Sequence, residues 1–351
     1  MSKRYIQSAW LTGLLIIWGC LVTGCSEQSD TDMVQGERLQ ICTVTRGSSY
    51  VLPEGIMIQI SPLLQDGEVA QGGFVTYAGN NTWNSGVYVE LGKEYFIYGY
   101  MPSELVSGST IAAVKSGSNV TGANLSLNGV SALSDKPLCV VIGVAEGAVE
   151  TVEGGNFAYE SLIGEDNQLK GISLLMDYLC AGAQFQIKID PSYNELRTVK
   201  LKKMVLTSTG QYQYGKSNLT ITFTNGQTNP ISSTTATVDQ TSSPIELTIF
   251  EDKNDENDEK GVELKEDESI MDETRYFLPS YASHLLLVST YDVYDKKGNK
   301  IRENCEATNS MSDVLKNIER GQIRPVTLTV TPTYLYVLSE PDLENPTVKI
   351  N

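Results

Sequence analysis

The sequence predicts an all-β fold of the sandwich type, and three features of the chain support this prediction. Apolar and polar residues alternate with period two in residues 183–189, 219–224 and 326–331, a pattern typical of strands with one buried face. Turn-forming pairs such as Asn225-Gly226 separate runs of this kind. Helical periodicity is scarce. Many short strands with little helix favour β-sandwiches over an α/β enzyme.

Aromatic residues and turn signals mark two further strand units. Residues 95–100 have the sequence YFIYGY and predict an aromatic strand. Residues 285–294 and 300–305 are two strand-like runs, and the polar residues 295–299 between them are turn-forming. We therefore expect the two runs to pair as a hairpin.

Helix signals are found in two segments. Residues 310–320 begin with the capping pair Ser310 and Asp313, and Gly321 follows them. Because three apolar residues share one face of this segment, we expect a helix there. A second short helix is expected near residues 159–162.

The chain is long enough for two domains after its N-terminal segment is removed. Glycines and polar residues near 164–171 predict a boundary there. We expect one sandwich domain over residues 37–168 and a second over residues 169–332. An appendage over residues 333–351 follows the last expected core strand.

The N-terminus has the layout of a lipoprotein signal peptide. Lys3-Arg4 precede an apolar stretch over residues 9–22, and a glycine stands directly before Cys25. A charged start, an apolar middle and a small residue at the break are typical of secretory signals. We expect residues 1–24 to be removed and Cys25 to carry a palmitate-type acyl chain. This places the chain on the outer membrane of a bacterial cell, facing water, with residues 25–36 as an acidic leash.

Two alternatives to this anchor are weaker. Cys20 also follows a glycine, but Trp18 stands where a lipoprotein signal has a small residue. A retained transmembrane helix needs about 20 apolar residues. The stretch here is shorter, and Thr12 and Gly13 interrupt it.

The chain is strongly acidic, with a formal net charge of -17. Such a surface repels nucleic acid and anionic membranes, so nucleic acid is not expected as a partner. Much of the acidity lies in residues 251–273, which is typical of a solvated loop. Calcium is the alternative, but Asn257 stands where a calcium loop needs glycine, so we predict no metal. The oxygen ligands of such a loop would be Asp252, Asn254, Glu256, Asp258 and Glu263.

Residues suited to catalysis are scarce. The single histidine, His284, precedes the apolar residues 285–288 and is expected at the start of a core strand. A Ser-His-Asp arrangement cannot be assigned from the sequence, and neither can a glycine-rich phosphate loop nor an acid pair for glycoside hydrolysis. We therefore predict that the chain is not an enzyme and binds no cofactor.

Four cysteines follow Cys25, and the expected compartment permits disulfides in any of three pairings. Each cysteine has apolar or strand-like neighbours, which favours free buried thiols. We expect a reduced thiol at Cys42 in particular. The four are Cys42, Cys139, Cys180 and Cys305.

Two terminal segments are not explained as ordinary core elements. Residues 37–47 contain an apolar strand that ends at Arg46, and Gly47 begins a run of small residues. An arginine in this context is an accessible cleavage site for a trypsin-like protease. Residues 334–338 and 347–350 resemble two spare strands, and the prolines between them should stop continuous pairing. A removable first strand and an appended last strand suggest strand exchange between subunits.

At this point the chain resembles the fimbrillin family, the pilins of type V pili. The resemblance covers most of the mature chain and implies two transthyretin-like β-sandwich domains. It also implies cleavage of the bond between Arg46 and Gly47, and polymerisation through a C-terminal donor strand. The motifs that carry it are Cys25, residues 43–46, Trp83, residues 95–102, 181–190, 196–201 and 334–350. The implied donor residues are Tyr334, Leu335, Tyr336, Val337, Leu338, Val348 and Ile350.

The sequence therefore predicts a structural pilus subunit that is exported as a lipoprotein and contributes to adhesion. Its expected partners are other pilin subunits, in a homo- or hetero-polymer, and the outer membrane through the lipid on Cys25. The alternative is a surface lipoprotein that binds glycans. The aromatic residues that could line a sugar site, or instead pack in the core, are Trp83, Tyr88, Tyr95, Phe96, Tyr98 and Tyr100.

Overall fold

The computed structural model describes residues 36–46, 52–90, 92–147, 156–158, 171–252, 261–267, 273–334 and 341–350. Most of these residues lie in strands, so the all-β prediction is confirmed. None of the helices in these ranges has the length and apolar character that a membrane span requires. The first twelve strands are β1 Gly36–Arg38, β2 Ile41–Arg46, β3 Met57–Leu64, β4 Gly73–Tyr77, β5 Trp83–Ser85, β6 Tyr88–Glu90, β7 Glu94–Met101, β8 Gly108–Ser116, β9 Asn119–Ser131, β10 Leu133–Ser134, β11 Cys139–Glu146 and β12 Asn156–Ala158.

The remaining elements include one short α-helix, α1, over Pro191–Leu196, and 3-10 turns at Ser103–Leu105, Gly210–Tyr212 and Pro279–His284. The aromatic strand and the hairpin that the sequence predicts are β7 and the β21–β22 pair. The strands are β13 Ile172–Tyr178, β14 Ala181–Ile189, β15 Thr198–Ser208, β16 Lys216–Thr224, β17 Ile231–Val238, β18 Glu246–Glu251, β19 Val262–Glu263, β20 Thr274–Phe277, β21 Leu285–Tyr294, β22 Lys300–Ser310, β23 Ile323–Tyr334 and β24 Pro341–Ile350.

The described strands form five sheets. The largest has the order β2-β13-β11-β7-β3-β4-β5, with β12 on β7. A five-stranded sheet has the order β10-β20-β14-β23-β24, and another has the order β18-β15-β21-β22, with β19 on β15. A four-stranded sheet has the order β17-β16-β9-β8, and β1 pairs with β6.

Alternation along the strands explains which faces are buried. In β14, Ala183, Phe185, Ile187 and Ile189 are buried, while the glutamines and the lysine between them are more exposed. Such faces build two cores. One core includes Leu125, Phe185, Ile221 and Leu328, and the other includes Leu39, Ile58, Ile97 and Ile172.

The four-stranded sheet combines β8 and β9 with β16 and β17, so it joins strands from both predicted domains. Residues 164–170 of the expected boundary lie outside the described residues. The division into domains at residues 168 and 169 therefore stays a prediction. So does the short helix near residues 159–162, which also lies outside the described residues.

The helix predicted over residues 310–320 is wrong. β22 continues to Ser310, and turns follow it, with hydrogen bonds from Leu315 N to Met311 O (3.0 Å) and from Ile318 N to Leu315 O (3.2 Å). Asn317 has a φ of 56°, which a right-handed helix does not permit. The Arg324 guanidinium also donates to the carbonyls of residues 314 and 316, at 2.6 and 3.1 Å. These carbonyls are thus satisfied by a side chain instead of by a helix.

The C-terminal segment also differs from the prediction. Pro341 and Pro346 do not interrupt the last strand, since β24 runs from Pro341 to Ile350 and pairs antiparallel with β23. The strand lies at the edge of its sheet, where proline costs no ladder hydrogen bond on the open side. A register shift between Pro332 and Thr333 accommodates the extra residues. Tyr334 is the last residue of β23, and residues 335–338 lie outside the described residues.

Candidate functional site

Residues 39–46, called the first strand below, comprise β2 and the two residues before it and are held at the edge of the largest sheet. β2 pairs in parallel with β13, with Ile41 opposite Ile172 and Val44 opposite Leu174. Among the described residues, β13 is the only strand that pairs with β2. Backbone hydrogen bonds fix the entry to the strand, from Leu39 N to Val87 O (2.9 Å) and from Ile172 N to Gln40 O (2.7 Å). Release of the chain up to Arg46 therefore breaks the pairing of β2 with β13, the bond from Leu39 to Val87 and the short pairing of β1 with β6.

Apolar side chains of the first strand fill part of the core. Leu39 is 1% exposed and Ile41 is 8% exposed. Burial of each such side chain contributes about 1.5–3 kcal/mol. Beneath them, Ile172, Leu174 and Met176 of β13 are buried in the same core. Loss of the first strand would thus uncover an apolar groove along β13.

The sequence-predicted cleavage site lies at the end of this strand. Arg46 is the last residue of β2, and its partner on β13 is Met176. Gly47 lies outside the described residues, as does the predicted lipidation site Cys25. The sequence-predicted cut thus falls directly after the last paired residue of the strand.

A close contact with a glycine helps to seat the first strand. Cys42 carries a free thiol and is half-buried beside Gly171. A methyl group at Gly171 would overlap Cys42 Sγ, so a larger residue at this position would force the thiol or the strand to move. The sequence did not reveal this pairing, because residues 42 and 171 are brought together only by the fold.

The prediction of buried cysteines is confirmed for Cys139 and Cys180, while Cys42 and Cys305 are half-buried. Burial raises the pKa of the Cys180 thiol above its ordinary value. A buried thiol that stays protonated is a poor nucleophile. Cys180 therefore acts as a small apolar residue of the core.

The last strand is held at the edge of a different sheet. Val348 of β24 is 4% exposed and lies opposite Val330 of β23, while Lys349 is exposed. The Asn309 side-chain amide Nδ2 donates to Val348 O at 2.6 Å. Ile350 is half-buried opposite Leu328. The predicted donor residues Val348 and Ile350 thus present one apolar face with period two.

Most of the aromatic residues considered for a sugar site are core residues, as the packing alternative predicts. Tyr95, Phe96, Tyr98 and Tyr100 are buried. Burial raises the pKa of Tyr98, although its hydroxyl donates to Asn225 Oδ1 at 2.7 Å. These rings are therefore not available to a ligand.

Trp83 lies beside the first strand. Its ring packs against Tyr77, with centroids 4.8 Å apart, and it is half-buried. It lines a groove of about 390 Å³ whose other wall is formed by residues 38–41. Tyr88 is exposed, and its hydroxyl accepts a hydrogen bond from Arg38 Nε at 2.9 Å. Sequence reasoning did not link Trp83 or Tyr88 with the first strand, because β5 and β6 reach it only through the fold.

In the described residues, neither the acidic segment nor the histidine forms a recognisable metal-binding or catalytic arrangement. Asp252 Oδ2 accepts the backbone N–H of Gly261 at 2.7 Å, and Glu263 lies in β19. Three of the considered calcium ligands, at positions 254, 256 and 258, lie outside the described residues. Within the described ranges, no group of three His, Cys, Asp or Glu residues could hold a metal. His284 directly precedes β21, as predicted, and stacks on Tyr212 at 4.2 Å.

Comparisons with known proteins find similarity only among solved structures. No protein-family model matches the chain, and no curated protein matches it. A fimbrial protein from Bacteroides vulgatus is 13% identical, with a TM-score of 0.42, over 89% of this chain and 98% of that one. The fimbrial anchor protein Mfa2 from Porphyromonas gingivalis is 11% identical, with a TM-score of 0.32, over 88% of this chain and 95% of that one. Both of these neighbours are fimbrial proteins.

Proposed function

We propose that this chain is a structural pilus subunit that is exported as a lipoprotein and assembles by strand exchange. One observation supports the proposal most directly. Within the part of the chain that the structure describes, β2 and the last strand, β24, both lie at sheet edges, and each pairs with a single strand. Both bury apolar side chains against that neighbour's sheet. Each strand can therefore leave while the other strands of its sheet stay paired.

In this proposal the lipid on Cys25 anchors the unassembled subunit to the outer membrane. Cleavage of the bond between Arg46 and Gly47 then releases the anchor together with β2. The groove along β13 loses Leu39 and Ile41, which leaves the apolar residues of β13 open. A C-terminal strand from a second pilin, with Val348 and Ile350 on one face, restores the apolar contacts and the backbone pairing. The partner subunit can be the same chain or another pilin, and the assembled fibre contributes to adhesion.

The experiment treats the full chain, purified in detergent, with an arginine-specific protease. We expect a new N-terminus at Gly47, followed by multimers in size-exclusion chromatography. The variant Arg46→Ala should keep the first strand and stay monomeric. Arg38→Ala is the matched control, since Arg38 also lies before the cut but the bond after Arg46 is unchanged. This variant should be cut at Arg46 and should form multimers.

A chain truncated before Pro341 separates cleavage from assembly. It should be cut at Arg46 and should not form multimers. Multimers of the uncut Arg46→Ala chain, or a cleaved chain that stays monomeric under all conditions, would contradict the proposal.

Glycan binding is the second candidate, and the groove at Trp83 is the observation that favours it. The groove combines an aromatic ring with amide and hydroxyl side chains, namely Asn81, Thr82, Asn84 and Ser85. Sugars are bound by such combinations, through ring stacking and hydrogen bonds. Binding of the uncut monomer to a glycan array, lost in Trp83→Ala and kept in Tyr88→Ala, would support this function.

A further inference from the structure

A buried carboxylate lies on the sheet β18-β15-β21-β22, away from both terminal strands. Asp292 of β21 is 1% exposed, and its neighbours Tyr291 and Val293 are also buried. A charged group at this depth requires partners of opposite charge or several hydrogen bonds. Asp292 has both charged partners and a hydrogen bond, and they come from β15 and β22, the two strands that flank β21.

Lys202 of β15 and Asn304 of β22 meet over this carboxylate. Lys202 Nζ lies 2.8 Å from Asn304 Oδ1 and 3.4 Å from Asp292 Oδ1. The backbone N–H of Asn304 donates to Asp292 Oδ1 at 2.8 Å. The Lys202 amine thus contacts both the Asn304 carboxamide oxygen and the Asp292 carboxylate, and the carboxylate also binds the Asn304 backbone, although Lys202 and Asn304 are 102 positions apart.

Two irregularities in the strands produce this contact. The pairing of β15 with β21 shifts register at Lys202, between Leu201 and Lys203. The pairing of β21 with β22 shifts register opposite Asp292, and Asn304 has a φ of 53°. Bulges re-aim side chains, and non-glycine residues with positive φ are uncommon. The two strands that flank Asp292, β15 and β22, thus depart from regular strand geometry at Lys202 and Asn304, the residues that contact its carboxylate.

Lys202 is not needed for charge balance alone. Lys300 Nζ already lies 3.3 Å from Asp292 Oδ2, so one carboxylate faces two amines. On the other side of the cluster, Asn304 Nδ2 lies 3.4 Å from Glu303 Oε1. The nitrogen that would leave the carboxamide therefore has an acceptor beside it that can bind an ammonium ion.

We propose that Lys202 and Asn304 form an intramolecular isopeptide bond, with Asp292 as the general acid and base. The neutral ε-amine attacks Asn304 Cγ, and a new C–N bond forms. Asp292 accepts a proton from the attacking nitrogen and delivers it to Nδ2. The bond from Cγ to Nδ2 then breaks, and ammonia leaves. The carboxylate ends in its original state, no oxidant or reductant is consumed, and the products are one amide and one ammonia molecule, which becomes an ammonium ion by taking a proton from the solvent.

Proximity is what makes this reaction feasible. Amide exchange by a free amine is slow, but holding both groups in contact can supply an effective concentration of about 10⁵ M or more. Proton transfer by a positioned carboxylate adds about 10²–10⁴-fold. The bond would join β15 to β22 across β21 and tie the sheet against pulling forces. This inference does not depend on strand exchange.

Mass spectrometry of the full chain tests the proposal. We expect an intact mass lower than the sequence mass by one ammonia, and a branched proteolytic peptide that joins Lys202 to Asn304. Lys202→Arg keeps a positive charge beside Asp292 but cannot form the amide, so it should show the full mass. Asn304→Ala should also show the full mass, and Asp292→Asn should slow the bond by at least about 10²-fold.

Lys300→Met is the matched control. Lys300 also contacts Asp292, but it takes no part in the proposed bond to Asn304. It should keep the branched peptide. A folded wild-type chain at full mass, without the branched peptide after prolonged incubation, would overturn the proposal. So would a loss of ammonia that persists in Lys202→Arg, because it would come from another site.

Discussion

At the scale of single residues, the first strand is held by a few well-defined contacts. Leu39 and Ile41 are seated in the core, while Gln40 between them is exposed and contributes its backbone carbonyl to Ile172 N. The side chains supply most of the free energy that holds the strand, since only one row of hydrogen bonds pairs it with β13. Substitutions here should therefore change how readily the strand opens.

Leu39→Ala should destabilise the first strand by about 2–5 kcal/mol, because it removes a fully buried leucine and leaves a cavity. Cleavage after Arg46 should become faster, since a protease needs the strand to open locally. The measurement is the rate of appearance of the Gly47 N-terminus, together with hydrogen exchange in residues 41–46. Gln40→Ala is the control and should leave both unchanged. Equal cleavage rates in wild type and Leu39→Ala would show that the strand is not held by its side chains.

Gly171→Ala should displace the strand by a steric route. The added methyl group overlaps Cys42 Sγ, and overpacking of this kind costs about 1–3 kcal/mol. We expect faster alkylation of Cys42 and partial rescue by Cys42→Ala, which removes the sulfur. Gly108→Ala is the control, because a methyl group there meets nothing within 4 Å. An alkylation rate like that of wild type would exclude this contact as a restraint.

At the scale of elements, α1 illustrates how local sequence fixes a structure. Asp190 caps this short helix, with Oδ1 accepting from Ser192 N (3.0 Å) and Tyr193 N (3.2 Å), and Pro191 follows as the first helical residue. The hydrogen bond from the Ser192 side chain is the main reason that the pKa of Asp190 is lowered, and the backbone donors add to it. The cap therefore works best when Asp190 is ionised.

Asp190→Ala should lower the free energy of unfolding by about 1 kcal/mol at neutral pH. Because the pKa is lower in the folded chain, this contribution is present above the unfolded pKa of about 3.9. It is lost as the pH falls through the folded value. Urea unfolding at pH 7 and at low pH should thus show a difference between wild type and variant that disappears in acid. Glu195→Ala, an exposed change in the same helix, should show no such pattern.

The elements also show what a sequence can and cannot predict. β14, β16 and β23 follow from period-two alternation, because each strand has one face in a core. The helix over residues 310–320 was wrong because Arg324 and Asn317 determine that segment, and neither effect is visible in apolar spacing. The parallel pairing of β2 with β13 depends on residues more than 120 positions apart. The contact of Lys202 with Asn304 depends on two bulges, for which the sequence offers no signal.

At the scale of the whole molecule, net charge opposes any assembly. The chain carries -17, and residues 1–46 contain four basic and four acidic residues, so removing them leaves this charge unchanged. Copies of the cleaved chain therefore repel one another at long range. The exchanged strand must overcome this repulsion through apolar contacts and backbone pairing at short range.

Assembly of the cleaved chain should consequently become faster as salt rises. Between about 0.01 and 0.15 M ionic strength, the Debye length falls from about 30 to 8 Å, and the repulsion between subunits is screened. The apolar contacts of Val348 and Ile350 are not weakened by this change, so the rate of multimer formation, followed by light scattering, should increase. The uncut Arg46→Ala chain should stay monomeric at every salt concentration, which separates screening from salt-induced precipitation. Slower assembly at high salt would mean instead that complementary charges draw the subunits together, and that the acidic surface takes part in the contact.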